Sequence, residues 1–229
     1  MKNLFVALFI TLSSLGYAQT SELNQVKKLI STFQAEENVE VLEEADALLG
    51  KLFDKADFRP DAAALFAKAK VKSLLLQNQE QDNPDAYAKE LRSLYTDALE
   101  KDESMILRHD ILNELYLSKA KLLDLGNNAY EAEAFSDAHT LYQNALNLNA
   151  LEVAYPRHAK LDTSILFTTA VFAKLSDKNK EAIDGLERLV SFNYQRKEIY
   201  DYLAELYKKE GKEDKVESIM KLQAERFPE

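Results

Sequence analysis

The side chains best suited to proton transfer or metal binding near neutral pH are three histidines, His109, His139 and His158. They are well separated, and none has a second histidine four residues on with a glutamate beside it, so the helical zinc arrangement is absent. Each is expected at the surface, His158 most openly because it follows Pro156–Arg157 in a loop. Asp54, Asp57 and Asp61 lack the glycine and the spacing of a calcium loop. Glu36–Glu37, Glu43–Glu44, Glu187–Arg188 and Lys208–Lys209–Glu210 read as solvated helix faces. There is no glycine-rich phosphate loop and no serine on a nucleophile elbow. The chain has no cysteine, which removes thiolate nucleophiles, disulfides, iron–sulfur clusters and cysteine-ligated zinc. No catalytic residue, metal or cofactor is expected, and the chain reads as a non-enzyme.

The elements that remain must then build a surface. The 229 residues carry 39 acidic and 29 basic side chains, a formal charge of -10, which disfavours nucleic acid as a partner because phosphate neutralisation needs clustered Lys and Arg. Hydrophobic residues make up 46%, enough for a packed core, and 5 Gly with 4 Pro are too few for the turns of an all-β fold. Good helix formers dominate, and the fold class is all-α. Residues 1–18 read as a signal peptide: Met1–Lys2–Asn3 is a basic start, Leu4 to Leu15 an apolar run, and Gly16–Tyr17–Ala18 a small-x-small site before Gln19. The apolar run is too short to cross a bilayer, so cleavage after Ala18 is expected, leaving a charge of -11 because Lys2 is the only charge lost. No later segment approaches a membrane span, and no membrane insertion is expected after cleavage. The expected location is the periplasm, reached by secretion.

Helical periodicity is clearest at the C-terminal end. Ile199, Tyr200, Leu203, Ala204 and Tyr207 keep helical spacing to Lys209, Gly211 ends the pattern, and Val216, Ile219, Met220, Gln223 and Phe227 resume it before Pro228. Two such helices joined by a short turn lie antiparallel. The same unit recurs 34 residues earlier, with Leu166, Ala170 and Ala173, then Ala182, Leu186 and Leu189, around a turn at Lys178–Asn179–Lys180. A third copy holds Leu125–Gly126, Tyr130, Phe135, Ala138, Tyr142, Ala145 and Leu148. Ala138 stands 44 residues before Ala182, one period plus ten, and the extra ten fit a longer connection over Leu151–Leu161.

These units resemble tetratricopeptide repeats. The family pattern of a large residue, then Leu-Gly or Leu-Ala, then Tyr is met by Tyr200, Leu203–Ala204 and Tyr207, with Gly211 and Pro228 closing the unit. Leu125–Gly126, Phe135, Ala138, Tyr142 and Ala145 match in the first of the three. Departures are Val216 and Met220 for the usual Ala and aromatic, and Tyr194 where Pro is expected. The resemblance covers about residues 119–229, as units over 119–150, 163–195 and 197–229. It implies an α-solenoid, a right-handed superhelix of antiparallel helix hairpins, in which Gly126, Ala138, Ala145, Ala170, Ala182 and Ala204 allow close helix approach. Tyr142 and Tyr207 fill the spaces between helices.

Residues 19–118 are less regular. Val26, Leu29, Ile30 and Phe33 mark one helix, and Val41, Leu42, Ala45, Leu48, Leu49, Leu52 and Phe53 its partner. A third starts at Pro60–Asp61 and runs to about Leu76, Gln77–Asn83 is a polar loop, and Asn83–Pro84 caps a fourth. A long helix from about Glu103 to Gly126 follows. This half reads as divergent hairpins of the same class, with a separate helical domain as the alternative.

The resemblance implies a groove lined by the first helix of each pair. Its candidate residues are Leu123, Asn127 and Tyr130, then Phe167, Val171 and Lys174, then Asp201, Glu205 and Lys208. Leu123, Tyr130 and Phe167 suit an extended peptide, although packing against neighbouring helices is a second reading for Leu123 and Phe167. Some tetratricopeptide repeats hold a chaperone's terminal carboxylate with Lys and Asn. Here Leu123 occupies the Lys position, and Phe167 and Val171 break the next one, so no such clamp is expected. The function expected is a protein–protein interaction scaffold of the bacterial cell envelope that holds a peptide or helix of an envelope protein in this groove. The alternatives are a structural subunit using its convex face or loops and, last, an enzyme with a site within residues 20–118.

Overall fold

The computed structural model describes residues 21–78, 81–154 and 161–228. The expected signal peptide, Pro156 and His158 lie outside the described residues. Among the described residues the chain is entirely helical, with ten α-helices and no strand. They are α1 (21–36), α2 (Val39–Phe53), α3 (Ala62–Asn78), α4 (Pro84–Lys101), α5 (Arg108–Glu131), α6 (Phe135–Ala154), α7 (Thr163–Leu175), α8 (Asn179–Ser191), α9 (Glu198–Lys209) and α10 (Glu213–Arg226). Helices adjacent in sequence pack against one another. The chain divides into two compact units, one ending at Ser118 and the other beginning at Lys119.

In the first unit the apolar side chains recur at the spacing of one helix face and meet at a common core. Val26, Ile30 and Phe33 of α1 pack with Leu42, Ala45 and Leu49 of α2 and Ala67, Val71 and Leu75 of α3. Polar caps set the helix starts. The Asn38 side chain accepts from the Glu40 amide at 3.0 Å, Asp61 from the Ala64 amide at 2.8 Å, and Asn83 from the Ala86 amide at 3.0 Å. The middle helix α3 is buried on most of its circumference, and its lysines are drawn into ion pairs with the helices on either side. Lys72 Nζ lies 3.1 Å from Asp46 of α2 and 3.6 Å from Glu90 of α4, and Lys70 lies 3.1 Å from Glu114 of α5. A buried hydroxyl chain completes the packing: Tyr95 and Ser118 share a hydrogen bond of 2.9 Å, and Ser118 donates to Ser73 at 2.8 Å.

Helix α5 starts at Arg108, five residues after the sequence-based expectation. The cause is Asp102, a buried carboxylate that accepts from the Leu107 amide at 3.0 Å and from the Ser104 hydroxyl at 3.1 Å. Those bonds close a turn over 102–107, in which Met105 has φ 58°.

The second unit shows a repeated device. In three hairpins a residue just past the first helix is left-handed: Glu133 at φ 59°, Asp177 at 57° and Gly211 at 70°. In each, the following amide reaches back five residues: Ala134 to the Ala129 carbonyl at 2.8 Å, Lys178 to Ala173 at 2.9 Å, and Lys212 to Tyr207 at 2.9 Å. This is the paired-bond helix terminus that satisfies the last free carbonyls. Asn193, φ 56°, closes α8 in the same way, with the Tyr194 amide 3.1 Å from the Leu189 carbonyl. The three hairpin turns stand 44 and 34 residues apart, the intervals read from the apolar pattern.

The core of this unit runs through Ala138, Tyr142, Leu166, Ala170, Leu186, Leu203 and Tyr207. Small residues sit where helices approach most closely. A Cβ on Gly126 would lie 2.5 Å from the Tyr142 ring, and a Cβ on Gly185 would lie 2.9 Å from the Ala170 Cβ. Ala138, Ala145, Ala170 and Ala182 are buried, Ala204 is half-buried beside the same core, and Pro228 is exposed beyond the end of α10. After the long connection the chain is caught again by Asn149 of α6. Its side-chain oxygen accepts from the Asp162 amide at 2.8 Å, its nitrogen donates to Glu152 at 3.0 Å, and Lys119 pairs with Glu152 at 2.5 Å. Asp162 then caps α7.

Candidate functional site

The nine groove candidates all belong to the second unit, on α5, α7 and α9. Aromatic packing links these helices. Tyr130 of α5 is 45% exposed and stacks on Phe172 of α7, with ring centroids 5.0 Å apart and planes at 22°. Phe172 also meets the Tyr142 ring edge-on at 4.9 Å, so the stack is rooted in the core. Phe167 of α7 lies 6.5 Å from Tyr202 of α9 in a stacked pair, and 6.5 Å from Tyr194. The Arg196 guanidinium covers Phe167 at 4.3 Å from the ring centroid.

A charged pair lies beside Tyr202. Lys174 Nζ lies 2.9 Å from Glu205 and 5.1 Å from the centre of the Tyr202 ring. Glu205 also faces Lys209 at 3.6 Å. The hydrogen bond from Lys174 holds the Glu205 carboxyl below its ordinary range. Asp201 is exposed and accepts from Gln223 of α10 at 2.7 Å, Val171 is half-buried, and Lys208 is exposed. Asn127 is exposed, and its side-chain oxygen accepts from the Tyr142 hydroxyl at 2.6 Å. Leu123 and Phe167 are half-buried against the core, so both carry packing as well as surface.

The structure brings Phe167, Lys174 and Glu205 together around Tyr202, and places Tyr130 on Phe172. Tyr202, Phe172 and Arg196 escaped the sequence reading, and Tyr194 was read only as standing where Pro is expected. Tyr202 and Phe172 each stand one residue past an assigned groove position, a step of about 100° around the helix. Arg196 lies between α8 and α9 and has no periodicity to mark it.

One residue departs from expectation. His139 is not at the surface: it is 6% exposed. Helix α6 buries Ala138, His139, Leu141 and Tyr142 in succession because neighbours cover much more than one stripe of it. The ring Nδ1 accepts from Lys178 Nζ at 3.1 Å, and burial first, then the Lys178 charge, pushes its pKa below the ordinary value. His109 is exposed, as expected, 3.1 Å from Asn113. Glu187 is more than a surface charge, since it accepts from the Tyr207 hydroxyl at 2.5 Å and from Lys215 at 2.9 Å. Among the described residues no group of three His, Asp or Glu is placed to hold a metal ion, and no helix is long and apolar enough to cross a membrane.

No family model matches this chain, and no curated protein matches it. Among solved structures, the crystal structure of BtubC (BKLC) from P. vanneervenii is similar at a TM-score of 0.41 and 16% identity, covering 92% of this chain and 90% of that one.

Proposed function

We propose that the chain is a tetratricopeptide-like interaction scaffold of the bacterial cell envelope. Its second unit would hold a peptide or helix of an envelope protein against α5, α7 and α9. The observation that supports this reading most is the ring pairing between the first helices of successive hairpins, above all Phe167 on Tyr202 flanked by the Lys174–Glu205 pair, with Tyr130 on Phe172 as a separate pair. Rings held in place by packing offer large contact area at small entropic cost, which is what a peptide groove needs. In this reading the hairpins continue as a right-handed superhelix and residues 1–18 direct secretion to the periplasm. The acidic net charge then favours basic partners and speeds their encounter, an effect that added salt weakens.

The test is affinity capture from envelope extract of the source organism, with residues 19–229 as bait beside a Tyr130→Ala, Phe167→Ala variant whose thermal melt is checked first. A partner held by the native bait and lost by the folded variant is expected. A partner captured equally by both baits moves the contact off this face and favours a structural subunit that uses other surfaces. Binding that is unchanged between low and high salt removes the electrostatic part.

A further inference from the structure

The middle hairpin of the second unit, α7–α8, lacks two large side chains that its neighbours possess. Turns 44 and 34 residues apart put Leu125, Thr169 and Leu203 in one register and Leu141, Gly185 and Ile219 in another. Leu141, Leu203 and Ile219 are buried, and Leu125 is half-buried. Thr169 and Gly185 stand at equally buried positions with far less apolar volume, and the Thr169 hydroxyl is turned back to the Ile165 carbonyl at 2.7 Å. Gly185 also lets α8 approach Ala170, but that approach does not close the space left by the two missing aliphatic groups.

An open-mouthed cavity of about 170 Å³ remains there. Thr169 and Gly185 line it, and Leu146, Leu166 and Ala170 complete its buried floor. Glu181, Asp184 and Arg188 of α8 stand at its mouth, all exposed. None of these three side chains forms an ion pair among the described residues, although Asp184 and Arg188 have the spacing of a helix pair. A core position left short destabilises the fold through the void behind it, and this hairpin keeps two such positions on one cavity. The cavity shares no residue with the proposed groove.

The neighbouring hairpins fill the equivalent positions with leucine and isoleucine, so the cavity is the imprint of a branched aliphatic group. A cavity of about 150 Å³ admits benzene, which places such a group within its capacity. The mouth adds charge of both signs. The carboxylates of Glu181 and Asp184 suit an ammonium, and the planar guanidinium of Arg188 suits a carboxylate. A leucine inside a protein segment has neither charge next to its side chain, whereas a free amino acid has both. We infer that the α7–α8 hairpin binds a free branched-chain α-amino acid, leucine or isoleucine. Its side chain lies against Thr169 and Gly185, its ammonium at Glu181 and Asp184, and its carboxylate at Arg188, the few polar groups fixing orientation over an apolar floor.

Isothermal titration calorimetry of residues 19–229 with leucine and isoleucine tests this. Leucinamide lacks the carboxylate, 4-methylpentanoate the ammonium, and glycine the aliphatic group. An alanyl-leucyl-alanine peptide with blocked ends carries leucine inside a chain. The variants are Glu181→Gln with Asp184→Asn, Arg188→Gln, and Thr169→Leu, which restores the residue of the neighbouring hairpins. The charged positions are exposed, so their variants should keep the wild-type melt, and they carry the test alone if Thr169→Leu lowers it. The expected result is saturable leucine or isoleucine binding that raises the melting temperature. Affinity is expected to be at least tenfold weaker for each analogue, for the blocked peptide and in every folded variant. No saturable binding of either amino acid overturns the inference, as does binding unchanged in the two charge variants. Binding that survives a folded Thr169→Leu places the ligand elsewhere and also overturns it. A blocked peptide bound as tightly as leucine overturns it in favour of a protein segment as the occupant.

Discussion

Replacing Glu133 and Asp177 by glycine should stabilise the second unit. Both side chains are exposed, and both backbones are left-handed, at φ 59° and 57°. The hydrogen bonds of these turns come from main-chain amides at 133, 134, 177 and 178, so glycine keeps all of them. A Cβ in this region costs roughly 1–2 kcal/mol, and somewhat less for Asp, whose short polar side chain tolerates it. Against this stands the extra freedom glycine has in the unfolded chain, about 0.5–1 kcal/mol. The difference leaves about 0.5–1 kcal/mol for Glu133→Gly and roughly half of that for Asp177→Gly. The two turns share no hydrogen-bond partner, so the effects should add. For a chain of this length the pair corresponds to a rise of about 2–5 °C in melting temperature. Gly211→Ala is the mirror experiment: it places a Cβ at φ 70° and should lower the melt by a similar amount. Thermal unfolding followed by circular dichroism reads all three. If Glu133→Gly is neutral or destabilising while Gly211→Ala is harmless, the turns are not held left-handed and the reasoning fails.

Gly126→Ala drives a Cβ to 2.5 Å from the Tyr142 ring and should cost about 1–3 kcal/mol in urea unfolding, whereas Gly50→Ala, with nothing within 4 Å, should be neutral or stabilising. Gly185→Ala meets Ala170 at 2.9 Å, and adding Ala170→Gly should recover part of its loss, read as a coupling in a double-mutant cycle. His139 has a lowered pKa in the folded chain, so the unfolded chain takes up the proton first as pH falls through the ordinary histidine range. The stability its neutral form provides is therefore complete above that range and is lost below it. The urea midpoint should drop between pH 7.5 and 5.5 in wild type and drop less in His139→Gln. Asp162→Ala removes the side-chain cap of α7 and should cost about 1 kcal/mol in the same assay.

The helices were legible because apolar spacing and polar caps act locally, as at Val26–Ile30–Phe33 and at Asn83–Pro84. The intervals of 34 and 44 were legible because Ala170 and Ala204, and Ala138 and Ala182, hold corresponding positions at which helices approach closely. Of the hairpin turns in the second unit Gly211 could be read directly, and the turn read at Lys178–Asn179–Lys180 lies two residues earlier, at 176–178, because Asn179 and Lys180 already belong to α8. Glu133 and Asp177 adopt the same geometry against their own preference, because the packed helices on either side and the backbone bonds impose it. The late start of α5 was hidden for a related reason: Glu103–Ser104–Met105 has ordinary helix propensity, and a buried Asp102 overrides it. His139 was misplaced because a single amphipathic stripe was assumed for α6, while its buried residues extend over most of the helix. Tyr202 and Arg196 were missed because contact between successive hairpins depends on helix rotation, which the sequence does not print.

The bond between Asn149 and the Asp162 amide gives the long connection an unusual property. Asn149, in the last turns of α6, and Asp162, the cap of α7, are tied by a 2.8 Å hydrogen bond. The entropy of closing a loop rises only as the logarithm of its length, about 0.6 kcal/mol per doubling. Evolution or an engineer could thus splice a reporter, a tether or a whole foreign domain between Ala154 and Leu161 and leave the hairpins on either side in register.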